Sequence, residues 1–240
     1  MTCGSELAKR SYVAALRLVR RAVRPTGVLD RPAPPRSKRV RHWFRSLTAI
    51  HDVDELIALD VPWWVYGAID DVESFLASRR SPRVFEFGSG ASTVWLAKRA
   101  ARVTSVEHDA GWCETLRGRL AEFDNVTVEL VPPDSLPEPL GAFRSSKPGF
   151  TGMSFRGYVE SIRKADPPFD LIVIDGRARS ACLREAASHL APDGMIVFDN
   201  SGRSRYREAI VESGLQVTTH RGLVPSLPVP DVTALLRNTE

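Results

Sequence analysis

The sequence predicts an α/β fold in which a mostly parallel sheet is covered by helices on both faces. Three observations predict it. From residue 84 to residue 213, short β-branched and aromatic runs alternate with helical stretches, the signature of repeated strand–helix–strand units. Two of those runs, Phe169–Asp175 and Met195–Asp199, are almost continuously apolar, as expected of strands buried on both faces. A glycine pair, Gly88 and Gly90, directly follows the first run, at the carboxyl end of a strand, where open α/β sheets bind their ligands.

The elements follow in order. Residues 6–24 read as an amphipathic helix with Leu7, Val13, Leu16, Val19 and Ala22 on one face and Arg10, Arg17, Arg20, Arg21 and Arg24 around them. Pro25-Thr26-Gly27 ends it, and Arg31-Pro32-Ala33-Pro34-Pro35-Arg36 is a proline-rich linker. This basic extension, residues 1–45, precedes the main domain, residues 46–240. Of the adjacent Trp63 and Trp64, one is expected in the core and the other at a substrate entrance. Helices are predicted over 68–79, 93–101, 111–123, 178–190 and 205–213, and strands over 84–87, 102–107, 126–131, 169–175 and 195–199. Pro192-Asp193-Gly194 reads as a turn. Two closing strands are expected near 215–220 and 232–236. The long connection 132–168 carries Gly141, Gly149, Gly152 and Gly157 together with Arg144, Lys147 and Arg156. It reads as a mobile, positively charged lid whose Ser154-Phe155-Arg156-Gly157-Tyr158 stretch touches ligand.

Composition narrows the class. Of the 240 residues 43% are hydrophobic, ordinary for a globular protein. No apolar run approaches the roughly 20 residues needed to span a bilayer, and no leader is evident at the N-terminus. Cys3, Cys113 and Cys182 form neither a disulfide framework nor a zinc pattern, which suits a reducing, cytoplasmic setting. The net charge of +4 conceals an asymmetry: residues 1–45 hold 12 Lys/Arg against 2 Asp/Glu, and the remainder 21 against 27. The basic character thus belongs to the extension, and no nucleic-acid partner is expected of the main domain. Two readings fit the extension: a solvated helix that frays or packs on a neighbouring subunit of a homo-oligomer, or a contact with a membrane or other anionic partner through phosphate or anionic lipid, each charge worth about 1 kcal/mol near a membrane surface.

Polar residues gather at the carboxyl ends of the predicted strands. Gly88-Ser89-Gly90 lets the backbone turn and approach a ligand closely. Ser92 and Thr93 follow at a helix start, where hydroxyls and free N–H groups can hold an anion. The run lacks the third glycine of the dinucleotide fingerprint. Glu107 ends the second strand, placed to accept the hydroxyls of a ribose. Glu86, a carboxylate inside a strand, would be repelled by pyrophosphate and matched by a cationic amino group, or by a nearby arginine. An NAD-dependent oxidoreductase is therefore disfavoured.

On these residues the chain resembles the class I S-adenosylmethionine-dependent methyltransferases, over Val84–Ala97, Thr104–Trp112, Asp170–Gly176 and Ala191–Asn200. The resemblance implies a Rossmann-like, doubly wound sheet of seven strands, order 3-2-1-4-5-7-6, with strand 7 antiparallel. It implies that Glu86, Gly88, Ser89, Gly90, Ser92 and Thr93 surround the methionine end of S-adenosylmethionine. Glu107 would take the ribose and His108 the adenine face, with Asp134 and Ser135 near the adenine edge.

Asp175 ends the fourth strand of the sheet and Asp199-Asn200 the fifth. Parallel neighbours lie about 4.8 Å apart, so the three side chains can converge. Two carboxylates and an amide oxygen are hard ligands suited to Mg²⁺. The arrangement is similar to that of cation-dependent O-methyltransferases of the catechol and macrolide-sugar type, which implies methyl transfer to a hydroxyl of a sugar or other polar metabolite. The alternative is that Asp175 contacts only cofactor or helix ends and Asn200 shapes a turn. The lysine or histidine those enzymes place three residues after the metal aspartate is absent; Ala178 stands there, flanked by Arg177 and Arg179, which read either as an anion site or as surface charge. The base candidates are Tyr158 and His220, with a metal-bound hydroxide or no base as alternatives. Metal-independent methylation of nitrogen or of a macromolecule, and S-adenosylmethionine binding without catalysis, remain the competing functions.

Overall fold

Strand β1 (Arg83–Phe87) lies at the middle of a seven-stranded sheet, with β2 (Arg102–Glu107) and β3 (Val126–Leu130) on one side and β6 (Phe169–Ile174) and β7 (Leu190–Asp199) on the other. Beyond β7 come β9 (Asp231–Arg237) and, at the far edge, β8 (Gln216–Gly222), giving the order β3-β2-β1-β6-β7-β9-β8. This is the expected 3-2-1-4-5-7-6 order: β1, β2, β3, β6 and β7 pair in parallel, and β9 runs antiparallel to β7 and β8. A small hairpin, β4 (Asp134–Pro137) and β5 (Met153–Ser154), stands apart. The computed structural model describes residues 3–27, 29, 31–50, 52–137, 141–145, 149–150 and 152–239, and the side chains of these except 3–11, 17 and 135–137. The expectations for the side chains of Leu7, Arg10, Arg17, Ser135 and Lys147 lie outside the described residues.

Alternation along the strands feeds two cores, one on each face of the sheet. Phe85, Phe87, Ile172, Ile174 and Phe198 face α8 (Arg179–Ala187) and α9 (Arg207–Glu212), whereas Val84, Leu171, Val173 and Val197 face α4 (Tyr66–Ala77) and α5 (Ala91–Ala97). Helix α6 (Ala110–Leu120) covers β2 and β3 through Leu116 and Leu120. Register then sets the site. Phe87 pairs with Val106 and Ile174, and Ile174 with Phe198. The residues that follow, Gly88, Glu107, Asp175 and Asp199, therefore end their strands at one level.

Three regions depart from expectation. Strand β7 begins at Leu190, so Pro192-Asp193-Gly194 lies within it, and an irregularity in its pairing with β6 between Phe169 and Leu171 absorbs the proline. The expected boundary at residue 45 falls inside a further helix, α2 (Arg39–Ser46). The helix is stapled to the body: Trp43 Nε1 donates to the Leu227 carbonyl at 2.8 Å, Ser226 N and Oγ bind Ser46 at 2.9 and 2.8 Å, and His42 Nδ1 lies 2.6 Å from Tyr66 Oη. Next comes α3 (Val53–Leu59), and Arg20 of α1 (Cys3–Val23) pairs with Asp52 and Glu55 beside it. Finally, α7 (Arg156–Glu160) and the turn after it are packed structure: Phe155, Tyr158, Val159 and Ile162 are wholly buried in the core. The second half of the expected lid is thus a core crossover. Trp64 is in the core against Trp95, and Trp63 is partly buried beside it.

Candidate active site

The glycine turn is shaped by backbone contact. Gly88 has φ +97°, a conformation L side chains rarely adopt, and a Cβ there would lie 2.6 Å from Gly176 Cα. The β1 and β6 turns therefore touch through two glycines. Gly90 is open on its outer side, where a Cβ would meet only Ser92 Oγ, at 3.8 Å. From α6, Trp112 Nε1 donates to the Ser89 carbonyl at 2.8 Å and braces the turn.

Glu86 is wholly buried and meets neither an arginine nor open space. Thr93 and Ser105 hydroxyls donate to Oε2 at 2.5 and 2.7 Å, and the Ser92 hydroxyl donates to Oε1. Ser89 and Ser105 share a further hydrogen bond at 2.7 Å, and the Gly90 N–H donates to Thr93 Oγ1 at 2.9 Å. Ser92 and Thr93, expected to hold an anionic ligand, are engaged instead in fastening β1, β2 and the start of α5 beneath the turn. Burial pushes the Glu86 carboxyl up to about 7, against the pull of its three donors. A carboxyl raised above its ordinary value favours folding below about pH 4.5, and that contribution is lost as pH rises through 7, about 3 kcal/mol in all. Glu86→Gln is expected to remove this dependence: urea unfolding from pH 4.5 to 8 should show the variant gaining on the parent by roughly that amount. Parallel curves would refute it.

At the end of β2, Glu107 Oε1 accepts from the backbone N–H of His108 at 2.7 Å and of Asp109 at 2.9 Å. No hydrogen bond engages its Oε2 among the described residues. The His108 ring lies 5.0 Å from Phe150 and 5.9 Å from Phe155, an aromatic patch beside the crevice. Asp134 follows β3 at the carboxyl side of the sheet. It binds the Ser154 hydroxyl at 2.7 Å and the Arg156 N–H at 2.8 Å, so it latches the hairpin to the start of α7.

Asp175, Asp199 and Asn200 converge as the strand ends require, but on the guanidinium of Arg179. It is buried, and its five N–H bonds are all used. Nη2 donates to Asp175 Oδ1 at 2.6 Å and to the Asp175 carbonyl at 2.7 Å; Nη1 donates to the Asp199 carbonyl at 2.6 Å and Asn200 Oδ1 at 3.2 Å; Nε donates to the Gly176 carbonyl at 3.2 Å. Asp199 Oδ2 lies 3.8 Å from Nη1, and its Oδ1 accepts from Thr233 at 2.9 Å. Asn200 takes a left-handed turn, φ 52°, and donates to Asp231 at 3.0 Å. Burial and the nearby Asp175 charge push Asp199 up to about 8, and burial raises Asp175 despite Arg179. Among the described residues no group of three or more His, Cys, Asp or Glu is arranged to hold a metal. The place where the three expected ligands would meet a Mg²⁺ ion is held by a fixed cation, which bonds one oxygen each of Asp175 and Asn200 and stands 3.8 Å from Asp199 Oδ2. The signal was present in the sequence: Arg179 opens a helix, where the dipole disfavours a cation, one turn after Asp175.

The remaining candidates separate. Arg177 is half-buried beside the crevice, 5.6 Å from the Phe150 ring; among the described residues it has no carboxylate in ion-pair range and its buried Nε has no hydrogen-bond partner. Tyr158 is wholly buried beside Gly176, and burial holds it well above the ordinary phenol range. A phenol so raised is no base near neutral pH. His220 lies on β8, two strands beyond Asp199, packed on Gly67 and 3.0 Å from Asp71. The strand order keeps it away from Asp175.

Comparisons with known proteins agree with this architecture. Residues 85–201, just under half of the chain, match a family model described as a methyltransferase domain. No curated protein matches. Among solved structures, an rRNA methylase from Streptococcus thermophilus is 13% identical with a TM-score of 0.50, covering 72% of this chain and 96% of that chain. A precorrin 8w decarboxylase from Methanobacterium thermoautotrophicum is 16% identical with a TM-score of 0.50, covering 72% and 90%. TrmN from Thermus thermophilus is 12% identical with a TM-score of 0.51, covering 76% and 49%. Sheet order, glycine turn and these likenesses establish the class I methyltransferase fold, and with the family match they point to an enzyme of the S-adenosylmethionine-dependent methyltransferase class.

Proposed function

We propose that this protein methylates a hydroxyl of a sugar or other polar metabolite that carries an acidic group, using S-adenosylmethionine and no metal ion. The observation that carries the reading is Arg179, which supplies the positive charge on which Asp175, Asp199 and Asn200 converge. When bound, S-adenosylmethionine supplies an electrophilic methyl carbon. The free Glu107 Oε2 and the open side of Gly90 fit its ribose and methionine ends. Asp175 is 23% exposed, and Arg179 holds only its Oδ1. Its second oxygen is left to accept the hydroxyl proton, and burial, which raises its affinity for that proton, makes it a better base. Arg177 is the group that would orient an acidic substituent, since a half-buried guanidinium with no carboxylate among the described residues is a fork lacking its partner. Chemistry of this kind rests on positioning two reactants in line.

Calorimetric titration of the intact protein with S-adenosylhomocysteine tests the first step, and absence of binding ends the proposal. For the second, labelled S-adenosylmethionine is supplied with a panel of hydroxy acids and sugar acids. Turnover is expected to be unchanged in EDTA; loss in EDTA with recovery on added Mg²⁺ would show the metal-dependent reading to be right. Asp175→Asn keeps the Arg179 hydrogen bond and is expected to lower kcat by about 10²- to 10⁴-fold, the usual loss of a general base. An unchanged kcat would remove Asp175 from that role.

A further inference from the structure

The two N-terminal helices present a face that no part of the described protein covers. On α1, Ala14, Ala15, Leu18, Val19 and Ala22 are exposed at helical spacing, with Leu18 at 64% and Val19 at 50%. Tyr12, Val13, Leu16 and Arg20 take the opposite, partly buried side, where Arg20 is tied to Asp52 and Glu55. The helix is therefore docked through Tyr12, Val13, Leu16 and the Arg20 anchor, with a second apolar stripe turned outward. Helix α2 repeats the pattern: His42 and Ser46 are buried, while Val40 and Phe44 are 57% and 61% exposed. Four of the ten exposed large apolar side chains among the described residues thus fall between residues 18 and 44.

The charges on this face are equally one-sided. Arg20, Arg36, Arg39 and Arg45 pair with carboxylates of the body. Arg21, Arg24, Arg31, Lys38 and Arg41 are exposed and have no acidic partner among the described residues. Cations interleaved with protruding aliphatic and aromatic side chains match the interface of an anionic bilayer, where phosphates meet the cations and acyl chains the apolar groups. A second copy of the same face would bring like charges together. A nucleic acid would leave Leu18, Val19 and Phe44 without a partner.

We propose that this face is a peripheral docking surface for anionic phospholipid, with α1 and α2 lying along the headgroup layer. No helix among the described residues is long and apolar enough to cross a membrane, so the attachment is reversible and lateral. The test is co-sedimentation of the full-length protein with vesicles of phosphatidylcholine alone and of phosphatidylcholine mixed with phosphatidylglycerol. Binding is expected only to the mixed vesicles, and to weaken as salt rises. Arg21→Gln with Arg24→Gln should weaken it about 30-fold, two charges at about 1 kcal/mol each. Leu18→Ser with Phe44→Ser should weaken it at least tenfold, while melting temperature and S-adenosylhomocysteine affinity stay at the parent values. No binding to mixed vesicles, or equal binding by the Leu18→Ser, Phe44→Ser protein, overturns the proposal. So does dimerisation in sedimentation velocity without vesicles that this double variant abolishes, because a second copy then covers the face.

Discussion

Arg179→Met is expected to lower the melting temperature by about 10 °C or more, the largest single effect foreseen on stability. The guanidinium is the cation beside two buried carboxylates, and removing one partner of a buried pair typically costs 3–5 kcal/mol. For a chain of this size each kcal/mol corresponds to roughly 2–4 °C. Methionine fills similar volume, so the loss reads the charge and not a cavity. The sign with pH follows from the aspartates. Asp199 already titrates near 8 because of burial and Asp175, and without Arg179 both groups move further up. Carboxyls raised in the folded state favour folding at acid pH, and that contribution is lost as pH rises through their folded values. The deficit should therefore be smallest near pH 5 and grow towards pH 8 in scanning calorimetry. Arg179→Lys keeps the charge but not the planar fork, and should recover only part of the loss. A variant melting within about 2 °C of the parent at pH 8 would show that Arg179 does not hold this cluster.

Gly88→Ala is expected to abolish measurable cofactor binding, raising the dissociation constant for S-adenosylhomocysteine more than about 100-fold, or roughly 2.7 kcal/mol. The new Cβ would stand 2.6 Å from Gly176 Cα, 2.7 Å from its nitrogen and 3.1 Å from the Asp175 carbonyl carbon. All three are backbone atoms, so no side chain can swing aside. The β1 and β6 turns would have to part, and the φ of +97° adds strain of about 1–3 kcal/mol. Gly118→Ala is the control. It lies within α6 with nothing inside 4 Å, and should leave affinity unchanged while adding up to about 1 kcal/mol of stability. Equal affinities for the two variants would mean that the turn does not shape the cofactor site.

The strands, the glycine turn and the level at which Gly88, Glu107, Asp175 and Asp199 end were legible because each rests on local pattern. A strand buried on both faces must be apolar throughout, and a ligand-facing turn must spare its side chains. The core crossover also left a local trace, since Phe155, Tyr158, Val159 and Ile162 follow helical i, i+3, i+4, i+7 spacing. The surrounding glycines and prolines obscured it. Helix α2 buries two residues, His42 and Ser46, and is otherwise rich in arginine, too little apolar repeat to announce a helix.

By itself, then, the sequence determined the sheet, the glycine turn at the carboxyl ends of its strands and which carboxylates reach that edge, all of them consequences of backbone periodicity. Only the tertiary structure decided what those carboxylates meet. Glu86 is satisfied by three hydroxyls from β2 and α5, and Asp175 and Asp199 by the guanidinium of Arg179, where a metal ion was expected. A buried charge has to be compensated by whatever the fold brings within about 3 Å. Several of those partners belong to other elements, and their distances are set by packing between elements and not by spacing along the chain.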